Sequence, residues 1–188
     1  MAVPRQLPNI ITIVRILCAP VFLWLLLADA GHGDAMRWIA TALFVVAIAT
    51  DGIDGHIARK HNLVSDLGKI LDPVADKVLT GAAFVGLSIL AELPWWVTII
   101  VLVREIGITV YRFIVISNHV LAAAWMGKVK TVAQAVALTL ALAPLQALVG
   151  DWIWWVNMIT MTIAVVLTIA SGIDYVVSEV RGRRKQSA

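Results

Sequence analysis

The chain has 188 residues, of which 61% are hydrophobic and 14% charged, with a net charge of +3. A soluble domain carries about 25% charged residues, so this composition excludes an ordinary water-soluble globule and points to an integral membrane protein of one domain, residues 1–188. The charge excess is small, no nucleic-acid motif is present, and a single cysteine rules out an internal disulfide.

Six apolar segments of membrane length follow one another, Ile10 to Ala28, Met36 to Ala58, Leu67 to Ala91, Trp95 to Ile116, Met126 to Leu148 and Trp152 to Val177. They predict an all-α, six-helix transmembrane bundle with short loops, antiparallel neighbours and no internal repeat. The first segment contains Cys18, read as a packing residue, and is expected to be retained. Arg5, Arg59, Lys60, Lys69, Arg112, Lys128, Lys130, Arg181, Arg183, Arg184 and Lys185 fall on one side of this drawing, and Arg37 alone on the other. The positive-inside rule then puts both termini in the cytoplasm. The opposite side carries Asp29, Asp34, Glu92 and Asp151, and the tryptophans Trp38, Trp95, Trp96, Trp152, Trp154 and Trp155 suit an interfacial belt there.

The second and third segments meet at the cytoplasmic side, and there the sequence breaks its own pattern. It reads Asp51-Gly-Ile-Asp54-Gly55-His-Ile-Ala58-Arg59 and then Gly68-x-x-x-Asp72-Pro73-x-x-Asp76. Each ionisable group inside a span costs roughly 2.5–3.5 kcal/mol, so the aspartates together call for compensation of about 10–14 kcal/mol. On a helix Asp51, Asp54, Gly55 and Ala58 share a face, as do Gly68, Asp72 and Asp76 on the next. Folding one face on the other makes a carboxylate nest near the cytosolic surface. Oxygen-only ligands favour Mg²⁺ or Mn²⁺ over Zn²⁺, and several carboxylates could hold two ions that clamp a diphosphate. Gly55 and Ala58 leave room for a ligand, and Arg59 can pair with phosphate in two-pronged fashion. Lone intramembrane acids also serve as proton relays or as polar glue between helices. Neither role explains all these aspartates together with two small residues and an arginine at such spacings.

The pattern D-x-x-D-G-x-x-A-R-x8-G-x3-D-x3-D resembles the signature of the CDP-alcohol phosphatidyltransferases at every fixed position, and the six-helix layout extends the resemblance over essentially the whole chain. That family transfers a phosphatidyl or similar group from a CDP-linked donor to an alcohol and releases CMP. The resemblance implies that Asp51, Asp54, Asp72 and Asp76 ligate two Mg²⁺ or Mn²⁺ ions. It further implies that Asp76 is the general base, and that Asp54, Gly55, Ala58, Arg59 and Gly68 bind the CDP donor. It also implies a homodimer among membrane lipids, with the active site facing the cytoplasm.

The fourth segment carries Arg104-Glu105 and Arg112, and the fifth opens with Lys128-Val-Lys130. Arg104 and Arg112 share a helical face, and with Lys128 and Lys130 they could meet an acceptor phosphate. Arg104 lies inside its helix, where an unpaired cation is expensive. Glu105 is a candidate partner, although adjacent residues do not share a face. These stretches, with Asn9, Thr12 and Arg15 near the start, resemble the branch whose acceptor is glycerol-3-phosphate. The expected reaction is transfer of phosphatidyl from CDP-diacylglycerol to glycerol-3-phosphate. A CDP-dependent cardiolipin synthase or an inositol-phosphate transferase is the alternative within the family. A small cation transporter is the alternative outside it, and would want acids spread through the bilayer depth rather than gathered at one surface. His32, His56, His61 and His119 are read as interfacial or loop residues, Asp66 as a helix cap, and the basic tail as an anionic-lipid contact.

Overall fold

The computed structural model describes residues 7–30, 32–33, 35–60, 66–114 and 123–186. The side chains of residues 7–11, 51–60, 66–73, 76, 112–114, 123–124, 179 and 181–186 lie outside that description. Everything described is helix or short connection: α1 (Leu7–Ala28), α2 (Ala35–Lys60), α3 (Asp66–Ile89), α4 (Trp95–Ile114), α5 (Ala123–Leu142), α6 (Gln146–Val149) and α7 (Ile153–Gln186).

Each expected apolar segment corresponds to one long helix, with two corrections. The fifth stops at Leu142 rather than Leu148, because Pro144 cannot continue the ladder and restricts the residue before it. The short α6 follows it. The last helix runs on past Val177 to Gln186, carrying its charged tail as helix. By length and apolarity, α7 over Ile153–Ser178 is the helix that qualifies to cross a membrane among the described residues, and Thr12–Ala28, Ala35–Thr50 and Lys77–Ile89 are shorter apolar helices.

Helix α1 packs on α2 and α3, α5 packs on α7, and α4 bridges α3 and α7, while α2 and α3 also touch α5. Phe22, Leu26, Phe44, Phe84, Leu87, Leu138 and Leu142 fill the centre. The rings of Phe22 and Phe44 lie 5.5 Å apart at a 36° tilt. Polar residues are buried beside this apolar centre, and many large apolar ones face outward. Arg15, Arg37, Glu105, Lys130, Gln134, Thr168 and Ser171 are buried, whereas Val103, Ile106, Ile159, Ile163, Val166 and Ile173 are exposed. That inversion suits lipid surroundings, where apolar surface carries no penalty and polar groups need protein partners.

Close approach of α1 and α3 depends on Gly86. A Cβ there would sit 2.6 Å from Leu26 Cδ2 and 3.1 Å from Leu23 Cδ1. Leu26 is fully buried and has little room to give way. Gly86→Ala is expected to destabilise the fold by about 1–3 kcal/mol, the usual range for overpacking, measured as a lowered thermal midpoint in detergent.

The end of α3 is shaped by Ala91, which takes φ 58°. Its N–H donates to Ser88 O at 3.1 Å, and the Glu92 N–H donates to Leu87 O at 2.9 Å, closing the helix end. This turn presents Glu92 to Arg37 of α2. Arg37 Nη1 and Nη2 donate to the two Glu92 carboxylate oxygens at 2.5 Å each. The same guanidinium donates from Nε to Leu142 O at 2.8 Å and from Nη2 to Ala141 O at 3.1 Å. Arg37, the lone basic residue on its side of the sequence drawing, is therefore a clamp joining α2, the α3–α4 turn and the last carbonyls of α5.

Candidate functional site

The aspartate motif lies on two helices at the same end of the bundle. Helix α2 continues to Lys60, so Asp51, Asp54, Gly55, Ala58 and Arg59 occupy its final turns. Helix α3 starts at Asp66, so Gly68, Asp72 and Asp76 occupy its first turns. Both sets are in helical register, α2 and α3 touch, and only residues 61–65 separate them. The side chains of these motif residues lie outside the described set, as do those of Asn9 and Arg112, and His61 lies outside it altogether. Among the described side chains no three of His, Cys, Asp or Glu gather as metal ligands.

Above the motif, toward the middle of the bundle, basic side chains converge on one carboxylate. Lys77 of α3 donates to Glu105 Oε2 at 2.8 Å and to the Glu105 carbonyl at 3.2 Å. Arg104 Nη1 donates to Glu105 Oε1 at 2.8 Å. Lys130 of α5 donates to the same Oε1. The Arg104 guanidinium is held on its other side by Ser171 Oγ of α7, at 2.9 Å. Ser171 donates in turn to Thr168 O at 3.0 Å, and Gln134 Nε2 donates to Thr168 Oγ1 at 2.9 Å. The network therefore ties α3, α4, α5 and α7 together. Gly172 makes space for it, since a Cβ there would meet Arg104 Cγ at 3.3 Å.

Of the residues expected to meet an acceptor phosphate, Arg104 and Lys130 are thus brought together, while Lys128 points outward from the other side of α5. Thr12 and Arg15 of α1 are buried in the bundle. Arg104 and Glu105 do pair, as expected of that candidate partner, because a long guanidinium can wrap around the helix to a neighbour that does not share its face. Lys77 had no signal beyond following Asp76. Its position lies one residue, about 100°, further round the helix, and its side chain reaches Glu105 of α4.

Beside this cluster, between α3 and α4, lies a cavity of about 340 Å³ with apolar walls from Val78, Phe84, Val101 and Ile106, and with Lys77, Glu105 and Gln134 among its polar lining. A larger cavity of about 1120 Å³ lies at the other end, beside Arg37 and Glu92, walled by Trp96, Trp154 and Met161. The charged pair in that second cavity already satisfies itself, so it offers little to a charged substrate.

Residues 5–170 match the CDP-alcohol phosphatidyltransferase family. The chain belongs to that family. It is 43% identical over 176 residues to a probable phosphatidylglycerophosphate synthase of Mycobacterium tuberculosis, covering 94% of this chain and 82% of the relative. It is 37% identical to the CDP-diacylglycerol–glycerol-3-phosphate 3-phosphatidyltransferase of Bacillus subtilis, covering 90% of this chain and 93% of that one. A CMP-forming cardiolipin synthase of Streptomyces coelicolor is 39% identical, over 53% of this chain and 46% of its own length. As a CDP-alcohol phosphatidyltransferase the chain is an enzyme of phospholipid synthesis.

Proposed function

We propose that this enzyme transfers the phosphatidyl group of CDP-diacylglycerol to glycerol-3-phosphate, giving phosphatidylglycerophosphate and CMP. The observation that carries the choice of acceptor is coverage. Relatives named for this reaction align along nearly their whole length, whereas the cardiolipin synthase aligns over about half. The chain forms a single domain that spans the membrane with six helices, both termini and the motif lying on the cytoplasmic side. It works among membrane lipids, as a homodimer by resemblance to its family.

Asp51, Asp54, Asp72 and Asp76 would hold two Mg²⁺ or Mn²⁺ ions. Hard oxygen donors in helical register on two touching helices support that reading, since such ions take oxygen ligands. When bound, the ions neutralise the donor diphosphate and ease the departure of CMP. The chain's own residues do the rest. Arg59 grips the donor diphosphate, and Gly55, Ala58 and Gly68 leave room for the nucleotide. Arg104 and Lys130, which the fold brings together, receive the acceptor phosphate with Arg112 of the same α4 face. Asp76 takes the proton from the acceptor hydroxyl as its oxygen bonds to the phosphatidyl phosphorus and the bond to CMP breaks.

The test is CMP release by purified protein given CDP-diacylglycerol and one acceptor at a time. Release with glycerol-3-phosphate, dependent on Mg²⁺ or Mn²⁺ and abolished by chelator, is expected. Release only with phosphatidylglycerol, or only with an inositol phosphate, would replace this acceptor with another.

A further inference from the structure

The clamp at one end of the bundle and the cluster in its middle solve the same problem differently. Arg37 and Glu92 pair one to one, and their charges cancel. Around Glu105 three cations, Lys77, Arg104 and Lys130, share one carboxylate. Among the described side chains, two positive charges are left over. One cation would have sufficed to neutralise a structural glutamate, and each extra one is costly in a low-dielectric interior unless an anion arrives to balance it. Arg104 Nε is moreover buried without a hydrogen-bond partner. The site holds more donor capacity than the protein itself consumes.

We propose that Glu105 is a positioning residue for the acceptor phosphate. It gathers Lys77, Arg104 and Lys130 from three helices into one cationic site whose surplus of two charges matches a phosphate monoester. Such a group carries about −1.5 to −2 at neutral pH, whereas a phosphodiester carries only a single charge. Glu105 does not touch the acceptor. It stops three like charges from splaying apart, and it fixes the site to α3 through Lys77, the residue after Asp76. The acceptor phosphate is thereby held at a set distance from the helix that carries the proposed base. Ser171, bonded to the far side of Arg104, keeps that guanidinium from swinging away. This inference rests on the assignment of glycerol-3-phosphate as acceptor.

The experiment measures KM for each substrate separately, using the full-length enzyme in detergent, for wild type, Glu105→Gln, Glu105→Asp and Lys77→Gln. Loss of a charged partner predicts that Glu105→Gln raises the KM for glycerol-3-phosphate about tenfold or more, with the KM for CDP-diacylglycerol within about twofold. Glu105→Asp, which keeps the charge, recovers most of that loss. Lys77→Gln, at the more exposed edge of the cluster, gives the same acceptor-only shift on a smaller scale. It decides the matter if Glu105→Gln fails to fold. Equal changes in both KM values, a fall in kcat alone, or an aspartate variant no better than the glutamine one overturns the proposal. Wild-type enzyme inactive with glycerol-3-phosphate would instead refute the acceptor assignment, and that outcome is read before any variant is made.

Discussion

Asp72→Asn is expected to lower CMP release by about 10³-fold or more while the protein still inserts in the membrane and purifies as folded helix. The substitution keeps shape and removes one negative charge from the motif. A carboxylate that helps hold a divalent ion contributes several kcal/mol to stabilising the charge that develops on the donor diphosphate, and each 1.36 kcal/mol is a factor of ten. Asp72 lies in the first turns of α3, well away from the packed residues Leu79, Ala83 and Leu87 further along the same helix. Its loss should therefore spare the fold. The comparison to make is CMP release against the circular-dichroism melting curve of the same preparation. Ordinary turnover by the variant at saturating Mg²⁺ would remove Asp72 from the site.

Arg37→Ala is expected to do the reverse, costing stability and leaving substrate affinity alone. The guanidinium is buried and makes four hydrogen bonds, two to Glu92 and one each to the carbonyls of Leu142 and Ala141. Truncating one partner of a buried pair costs about 3–5 kcal/mol. Glu92 stays about a third exposed, its side chain at 34%, and can regain water, which places this case near the low end, at about 3 kcal/mol. Arg37→Lys should recover only part of it, because an ammonium cannot fork across both carboxylate oxygens and reach the α5 carbonyls as well. Thermal unfolding in detergent reads the loss, and both KM values below the melting range should match wild type. A change confined to acceptor KM would mean that the two ends of the bundle are coupled in a way these contacts do not provide.

The long helices were legible in the sequence because an apolar run of membrane length has few alternatives. Where the sequence misled, a local breaker or a distant partner was responsible. The run from Met126 to Leu148 reads as one helix by hydropathy, yet Pro144 divides it into α5 and α6. Arg37 reads as a lone exception to the charge pattern, since its partners Glu92 and Leu142 lie 55 and 105 residues away in the chain. The aspartate motif was legible because its spacing is helical on both sides of a short connection. Glu105 could be seen only as a neighbour of Arg104. That it would collect Lys77 and Lys130 as well depends on how α3, α4 and α5 pack, and periodicity along one helix carries no such information. The same holds for Lys77, whose side chain leaves the motif face for the cluster.

The most direct measurement is Mn²⁺ binding to the purified protein, followed by electron paramagnetic resonance, in wild type, Asp51→Asn and Asp72→Asn. If the ends of α2 and α3 hold ions jointly, each substitution alone weakens tight binding about tenfold or more, although the two residues sit on different helices. Tight binding that survives the loss of either aspartate would show that the two helices do not share an ion, and the proposed chemistry of this site would fall with it.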